Sequence, residues 1–340
     1  MVRTGAMMAD VAIGVDFGGT KVLACVVDVH TGKVLGEGKS GTSSADGPNE
    51  LMKRIYKVCK AAAKDAGIAT SDAVGVGVGI AGQVDAKRGL LVGTANLSRA
   101  VVDLPMADLL TKELGVPAAI RNDVQIAAIG EARFGAGKKI DNFVCIFVGT
   151  GIGGAIVQNG ELIPGFSGNA GEIGHTMVQV GGRICGCGGR GHLEAYASRT
   201  AITAALLGEM RRGRKTILRE LLPDVDPVHP AGSGAIRSGI LKKAVAAGDE
   251  VTIGVIEEAG RYLGCGLGSI VNFVNPQRII LGGGVIESVD LLFEVAEKTT
   301  RLEALAHAGD AVEIVRAKLG DYSGAVGAAV IAAEQQGIVA

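Results

Sequence analysis

Short apolar runs alternate with glycine turns at the start of the chain. Val11–Phe17, Lys21–Asp28 and 34–39 are three such runs, and Gly18-Gly19-Thr20 separates the first two. Apolar runs of this length between turn residues predict β-strands, and the short connections predict an antiparallel meander. From residue 48 to 66 the apolar positions recur at helical spacing, with Pro48 near the start.

The same plan returns about 130 residues later, where the run 143–148 leads into the glycine turn 149–154 (GTGIGG). Further short runs at 155–158 and 161–164 follow that turn. Backbone N–H groups of a glycine turn can cradle a phosphate. The repeat therefore predicts two related α/β domains, each with a phosphate-binding turn.

The remaining pattern alternates strands and helices. Helices are predicted at 106–114, from Asp123 through Phe134, at 198–207, from a cap at Asp249 to Asn275-Pro276, and after the glycines 282–284. A last helix is predicted at 324–336, packed against the N-terminal domain. Strands are predicted at 74–80, 118–120 and 278–281, and loops at 83–97 and 223–234. This alternation indicates the α/β class.

Residues 77–82 (GVGIAG) match the dinucleotide-binding pattern G-x-G-x-x-G. That pattern needs a helix directly afterwards, whereas the following residues are polar and turn-like, so we reject a dinucleotide site. Gly82 is expected instead to let the backbone approach a ligand. A Walker phosphate loop does not occur in the sequence.

Composition excludes little, and we expect a soluble, cytoplasmic protein. The 340 residues carry 34 basic and 35 acidic side chains and no tryptophan, which gives no support for nucleic acid as a partner. The basic run 211–215 is interpreted as a solvated face. Residues 1–10 show no secretory signal pattern, and glycines break the longest uncharged run, 142–160, so no membrane span is expected.

Four metal-ligating side chains lie close together in the sequence. His175, Cys185, Cys187 and His192 have the spacing H-x9-C-x-C-x4-H. Two thiolates and two imidazoles suit tetrahedral Zn²⁺ and fill all its positions, so the predicted site is structural. The second ring nitrogen of His175 would remain for a ligand. The other cysteines stand singly in apolar segments, as in a reducing compartment.

Asp123 follows the predicted strand at 118–120 and begins a helix. Its simplest role is to cap that helix. The carboxyl end of a strand is also where α/β proteins place catalytic groups, so both roles stay open.

Several motifs together resemble the ROK family of bacterial sugar kinases and repressors. They are Asp16 to Lys21 (DFGGTK), Asn122-Asp123 with Ala127-Ala128 and Gly130-Glu131, the turn 149–154, Gly171 to His175 (GEIGH), the loop from Cys185 to Glu194, and Leu281 to Gly284 (LGGG). The resemblance implies an actin-like (ribonuclease H-like) ATPase fold with two α/β domains around a cleft. We expect a small domain at 10–121 plus 321–340, a large domain with the zinc loop at 122–320, and a homodimer.

The resemblance also implies a role for each motif. Asp123 would be the general base that takes the proton from a sugar 6-hydroxyl. The hexose would be bound by Gly82, Asn122, Asp123, Glu172, His175 and Glu194. ATP would be bound by Gly18, Gly19, Thr20, Lys21, Thr150 and Gly151 at its phosphates and by Gly283 and Gly284 at its adenosine, and Asp16 would orient Mg²⁺ through water.

The sequence departs from the family pattern at three positions. His192 stands where a third cysteine is usual, Arg121 where an acidic residue is common, and Gln125 where asparagine is frequent. Glucose is the first substrate hypothesis, ahead of N-acetylglucosamine, N-acetylmannosamine and fructose, and polyphosphate is an alternative donor. A sugar-responsive repressor is disfavoured because family repressors carry an N-terminal winged helix, whereas ten residues precede the first predicted strand here.

Overall fold

The computed structural model describes residues 10–19, 21–42, 47–94, 101–227 and 236–339. The chain forms two compact units: the first comprises Met1–Ile140, Val157–Ala170 and Asp321–Ala340, and the second comprises Asp141–Ile156 and Gly171–Gly320. The first unit therefore extends beyond the boundary expected at residue 121, because the helix that begins at Asp123 packs on the C-terminal helix of the same unit.

The first unit is built on a five-stranded sheet. Its strands are β1 (Val11–Phe17), β2 (Lys21–Asp28), β3 (Val34–Gly41), β4 (Val76–Ile80) and β7 (Ala118–Asn122), in the order β3-β2-β1-β4-β7. β1 pairs antiparallel with β2, and β2 with β3, which confirms the predicted meander. β4 pairs parallel with both β1 and β7, so the carboxyl ends of these three strands meet at one edge of the sheet.

Helices cover the first sheet. They are α1 (Pro48–Asp65), α2 (Met106–Leu114), α3 (Asp123–Phe134) and α12 (Ser323–Gln335). α12 buries its residues from Ser323 through Ala333 and contacts α3, β1 and β4, as expected from its alanine-rich sequence. Its first residue donates a hydrogen bond to the buried carboxylate of Glu131 at 2.9 Å (Ser323 Oγ to Oε1). α3 and α12 are thus joined by a polar contact as well as by packing.

The prediction of a loop after residue 82 was wrong in part. β5 (Gln83–Asp85) and β6 (Leu90–Gly93) form an antiparallel hairpin there. Leu91 is fully buried and bridges to Leu104, so packing of one apolar side chain stabilises strands that the polar local sequence did not predict. A strand, and not a helix, follows the G-x-G-x-x-G match, so the match lacks the helix that a dinucleotide-binding motif requires.

The second sheet repeats the order of the first. Its strands are β8 (Phe143–Val148), β9 (Ile152–Gln158), β10 (Glu161–Leu162), β11 (Arg278–Gly282) and β12 (Glu313–Arg316), in the order β10-β9-β8-β11-β12. β11 pairs parallel with β8 and β12. In each sheet the first strand lies between the second and the fourth, so the repeat predicted from the two glycine turns is confirmed.

The helices of the second unit are α4 (Glu194–Ala197), α5 (Arg199–Arg211), α6 (Leu218–Leu221), α7 (Ser238–Ala246), α8 (Glu250–Val274), α9 (Gly284–Ser288), α10 (Asp290–Glu303) and α11 (Ala306–Ala311). Asp249 caps α8 as predicted, since its carboxylate accepts from the N–H of Thr252 at 3.0 Å. In the basic run after α5, Arg212 and Arg214 are exposed and pair with Glu209, as expected of a solvated face.

Part of the loop predicted at 223–234 lies outside the described residues, which resume at 236. Among the described helices, none combines the length and the apolar character that crossing a membrane requires.

Candidate active site

Two predicted site residues of the first unit lie at the same edge of its sheet. In the strand register Asp16 is opposite Gly79, and Gly79 is opposite Arg121. Asp123 follows two residues after Arg121, as the first residue of α3. Because β1, β4 and β7 all end here, both residues lie at the edge where α/β folds bind ligands.

The carboxyl group of Asp16 is buried, and its pKa is raised to about 7. Burial is the largest cause, and the negative charge of Asp123 adds to it, while Lys21 acts in the opposite direction. The interaction with Asp123 is strong enough to shift the pKa, so these two carboxyl groups act on each other within the first unit. A cation bound at Asp16 would favour its ionised form.

Asn122 is the residue that caps α3, whereas the sequence suggested capping as the simplest role of Asp123. The side-chain Oδ1 of Asn122 accepts from the N–H groups of Val124 at 2.9 Å and of Gln125 at 3.3 Å. Asp123 Oδ1 accepts from the N–H of Val124 at 3.0 Å. Asparagine satisfies the free helical donors well, so the carboxylate of Asp123 is not needed as the cap.

Gly82 is also held within the first unit. Its carbonyl oxygen accepts from Asn122 Nδ2 at 3.3 Å. A Cβ at this position would lie 2.5 Å from the carbonyl oxygen of Gly93 in β6. The absence of a side chain is therefore required by the hairpin, a reason that the sequence did not reveal.

Two of the residues that depart from the family pattern, Gln125 and Arg121, lie in the first unit. Gln125 is buried, and its Nε2 donates to the carbonyl oxygen of Gly168 at 2.9 Å. Burial raises the pKa of Glu334 in α12, and the positive charge of Arg121 acts in the opposite direction.

The first glycine turn joins β1 to β2. The N–H of Gly18 donates to the carbonyl oxygen of Lys21 at 3.0 Å. Gly19 is exposed, and Lys21 forms an ion pair with Asp321 at 2.7 Å. The predicted phosphate-binding residue Thr20 lies outside the described residues.

In the second unit, the predicted sugar ligand Glu194 contacts the glycine turn 149–154. We call this turn the donor turn, because it is predicted to bind the phosphates of the donor. Glu194 Oε2 accepts from the N–H of Ile152 at 2.8 Å. A Cβ on Gly151 would lie 2.3 Å from the same carboxylate oxygen. Glycine at position 151 is thus what lets the carboxylate reach the turn.

The start of α5 holds the same turn. The N–H of Arg199 donates to the carbonyl oxygen of Gly149 at 2.9 Å, and its guanidinium donates to Thr150 Oγ1 at 2.8 Å. Arg199 therefore contacts the predicted phosphate-binding turn, although the sequence did not single it out. The available signal was a cation at the first position of a helix, where the helix dipole disfavours positive charge.

The four predicted metal ligands are brought together. One ligand atom from each of His175, Cys185, Cys187 and His192 lies within 4.8 Å of all the others. His175 Nδ1 is 3.7 Å from Cys185 Sγ, and His192 Nδ1 is 3.2 Å from Cys187 Sγ. A tetrahedral zinc site with ordinary bond lengths separates its ligand atoms by about 3.3–3.8 Å. The donor set and its spacing fit Zn²⁺.

A hairpin-like loop creates this cluster. Met177 bridges to His192, and Ile184 to Arg190, so the ends of the loop return to each other. Gly189 packs against the His192 ring, where a Cβ would lie 2.3 Å from the ring carbon Cε1. Backbone bridges and a close glycine contact therefore help to bring the four ligands together.

The surroundings of Cys185 disfavour its thiolate. Burial is the main cause that raises the pKa of its thiol to about 11, and the nearby Glu194 and Cys187 contribute. The thiolate that a metal requires is thus unfavourable in this environment unless positive charge compensates it. Zn²⁺ would supply that charge.

The predicted sugar ligands of the second unit lie around this cluster. Cys185 Sγ contacts both His175 Nδ1, at 3.7 Å, and Glu194 Oε1, at 3.6 Å. Glu172 is exposed, and its carbonyl oxygen accepts from the N–H of His175 at 3.1 Å. Because His175 faces the sulfur through Nδ1, its Nε2 is left for another partner.

The glycines expected at the adenosine begin α9. Gly283 has φ = +91°, and a Cβ there would lie 2.5 Å from the carbonyl oxygen of Val148. Both the backbone conformation and the close approach of β8 require glycine at this position. A Cβ on Gly284 would have Ser238 Oγ, at 3.6 Å, as its nearest contact, so this position is open.

Known proteins resemble the chain over nearly its full length. A glucokinase of Halalkalibacterium halodurans is 30% identical over 325 residues, which are 95% of each chain. A xylose repressor of Bacillus spizizenii is 30% identical over 261 residues, 77% of this chain and 61% of the repressor. The structure of a ROK family glucokinase from Streptomyces griseus in complex with glucose and AMPPNP has 31% identity and a TM-score of 0.82, covering 95% of this chain and 99% of that one.

The sequence profile of the ROK family matches residues 12–335. This match and the structural similarity confirm the expected fold, that of the actin-like ATPases. The chain belongs to the ROK family.

Proposed function

We propose that this protein is a hexose kinase that transfers the γ-phosphoryl group of ATP to the 6-hydroxyl of glucose, with Asp123 as general base. One observation carries the proposal: the strand register brings Asp16 and Asp123 to the same edge of the first sheet, where β1 and β7 end. A base and a magnesium-orienting carboxylate at one edge are the two groups that phosphoryl transfer to an alcohol needs. The glucokinase relatives support glucose as the acceptor.

In the proposed reaction, the sugar 6-oxygen attacks the γ-phosphorus. Its proton passes to the carboxylate of Asp123, and the bond from the γ-phosphorus to the bridging oxygen breaks, so that ADP leaves with the electron pair. Asp123 suits this role because Asn122 provides most of the capping of α3. Positioning and charge neutralisation supply most of the rate in such transfers, and one base is sufficient.

The donor phosphates would be received through backbone N–H groups of the two glycine turns, at Gly19 in the first and at Thr150 and Gly151 in the second. Gly18 would shape the first turn, because its N–H is already bonded to the carbonyl oxygen of Lys21. When bound, Mg²⁺ would neutralise charge on the transferred phosphoryl group. Asp16 fits a magnesium partner because its buried carboxyl group has a raised pKa that a cation would lower. Gly283 and Gly284 would lie against the adenosine.

The hexose would be recognised by Asn122 in the first unit and by Glu172, His175 and Glu194 in the second. Zn²⁺ at the four-residue cluster would be structural, since the protein supplies all its ligands. Its role is to fix the ring of His175 and to keep Cys185 ionised beside Glu194. His192 can stand in for the usual cysteine, because its Nδ1 lies 3.2 Å from Cys187 Sγ, close to the separation of two ligands of one Zn²⁺.

A sugar-responsive repressor is a second candidate because the xylose repressor of Bacillus spizizenii also matches this chain. Asp123 and the contact between Glu194 and the donor turn favour the kinase, since sugar binding alone requires neither a base nor a donor site. Specific DNA binding that glucose alters, without ADP release, would support the repressor instead.

The most informative experiment is a coupled assay of ADP release across glucose, N-acetylglucosamine, N-acetylmannosamine and fructose. The highest kcat/KM is expected with glucose and ATP. Parallel reactions with polyphosphate test the donor. Faster turnover of an N-acetylated sugar would keep the kinase but change its substrate, whereas no turnover of any sugar would contradict the proposed activity.

A further inference from the structure

Arg199 is the first residue of α5, and its guanidinium lies against the glycine turn of the second unit. Its terminal nitrogen donates to Thr150 Oγ1 at 2.8 Å. Its backbone N–H donates to the carbonyl oxygen of Gly149 at 2.9 Å, and the hydroxyl of Thr200 donates to the carbonyl oxygen of Thr150 at 2.7 Å. Three hydrogen bonds thus fix the turn to the start of this helix.

The position is costly for an arginine. The helix dipole disfavours positive charge at an N-terminus, and burial lowers the pKa of the Arg199 guanidinium. Its Nε is buried without a hydrogen-bond partner. Within the described part of the chain, no carboxylate lies within ion-pair distance of Arg199. A cation kept under these conditions points to an anion that is supplied from outside the protein.

The hydrogen bond to Thr150 has a chemical consequence. A threonine hydroxyl has one hydrogen to donate and lone pairs to accept with. Because Oγ1 accepts from Arg199, the hydroxyl hydrogen is left to donate to another group. A phosphate oxygen can accept this hydrogen. The positive charge of Arg199 and the N-terminus of α5, which lie beside the hydroxyl, also favour an anion.

We infer that Arg199 is a positioning residue for the phosphates of the nucleotide donor, acting by orienting the hydroxyl of Thr150 and by adding positive charge to the turn. This inference rests on the proposed function, which places the donor phosphates at Thr150 and Gly151. It assigns to α5 a part in donor binding in addition to that of the glycine turn.

Calorimetric titration with ADP and with adenosine tests the inference. The variants are Arg199→Met and Arg199→Lys, and the control is Arg212→Gln, which changes an exposed arginine just after α5. Arg199→Met is expected to weaken ADP binding by about 10- to 100-fold, the range of one charge-assisted hydrogen bond, and to leave adenosine binding unchanged. Unchanged adenosine binding also shows that the variant is folded. Arg199→Lys should recover part of the loss, and Arg212→Gln should bind both ligands as the wild type does.

A double-mutant cycle with Thr150→Val tests whether Arg199 acts through the hydroxyl. With valine at position 150, Arg199→Met should cost clearly less than it does in the wild type. Wild-type affinity of Arg199→Met for ADP would overturn the inference and leave the kinase proposal standing. If the wild-type protein itself bound ADP no more tightly than adenosine, the proposed donor site would be wrong, and the role of Arg199 would fall with it.

Discussion

The carboxylate of Glu194 accepts a hydrogen bond from the backbone N–H of Ile152, with Oε2 2.8 Å from the nitrogen. One of its oxygens thus faces the proposed donor turn, and the other lies 3.6 Å from the sulfur of Cys185 in the metal cluster. A single side chain therefore links the three features that the sequence predicted separately. In the proposed kinase, sugar binding, metal binding and the donor turn of the second unit depend on one another.

Gly151→Ala should displace the Glu194 carboxylate, because the added Cβ would lie 2.3 Å from Oε2. Loss of a hydrogen bond to a charged group costs about 1.5–3 kcal/mol, so the KM for glucose should rise roughly 10- to 100-fold. Steady-state kinetics measures this change. Gly149→Ala is the matched control, since a Cβ there meets no atom within 4 Å. Equal glucose KM values for the two variants would show that Glu194 does not depend on this contact.

The purified protein should contain about one zinc ion per chain, as measured by elemental analysis. Gly189→Ala should reduce that content, because its Cβ would meet the ring of His192 at 2.3 Å, whereas Gly186→Ala meets nothing within 4 Å and should retain the metal. Removal of zinc by a chelator should weaken glucose binding through His175. Fully active protein without zinc would remove the structural role of the cluster.

Asp16→Asn should change how stability depends on pH in the absence of ligands. In the wild type the folded-state pKa of about 7 exceeds the usual aspartate value of 3.8, so stability is lost as pH rises from about 4 to 7 and stays low above pH 7. An asparagine does not ionise and avoids this loss, which is on the order of 4 kcal/mol at most. Urea unfolding at pH 5 and pH 8 should therefore show the variant to be the more stable protein at pH 8.

Activity should move in the opposite direction, since Asp16→Asn removes the carboxylate proposed to orient Mg²⁺. If Asp16→Asn is more stable than the wild type at pH 8 but has lost most turnover, Asp16 is a residue that lowers stability and is needed for activity. Parallel pH dependence of unfolding in both proteins would contradict the raised pKa of Asp16.

Local sequence was sufficient for most of the fold. The meander of β1 to β3 and the end of α8 follow from residues that are neighbours in the chain, and Asn275 ends α8 with φ = +50°, a conformation that asparagine tolerates. The metal cluster was equally predictable because its ligands lie within one short loop. In each case the determining contact joins residues close in sequence.

The rest depended on contacts between distant segments. The hairpin of β5 and β6 is stabilised by burial of Leu91, and Gly82 is required by the carbonyl of Gly93. The hydrogen bonds of Arg199 to the donor turn join residues about 50 positions apart. No local pattern encodes such pairs, so the sequence predicted the chemical groups of the site but not what holds them in place.

The central claim is that Asp123 removes the proton from the sugar 6-hydroxyl. Asp123→Asn keeps the shape of the side chain and the hydrogen bond that its Oδ1 accepts from Val124, but it cannot take up the proton. The direct measurement is turnover and glucose binding of this variant side by side. The account predicts a kcat lowered by about 100-fold or more with glucose affinity within a few-fold of the wild type, and unchanged kcat would contradict it.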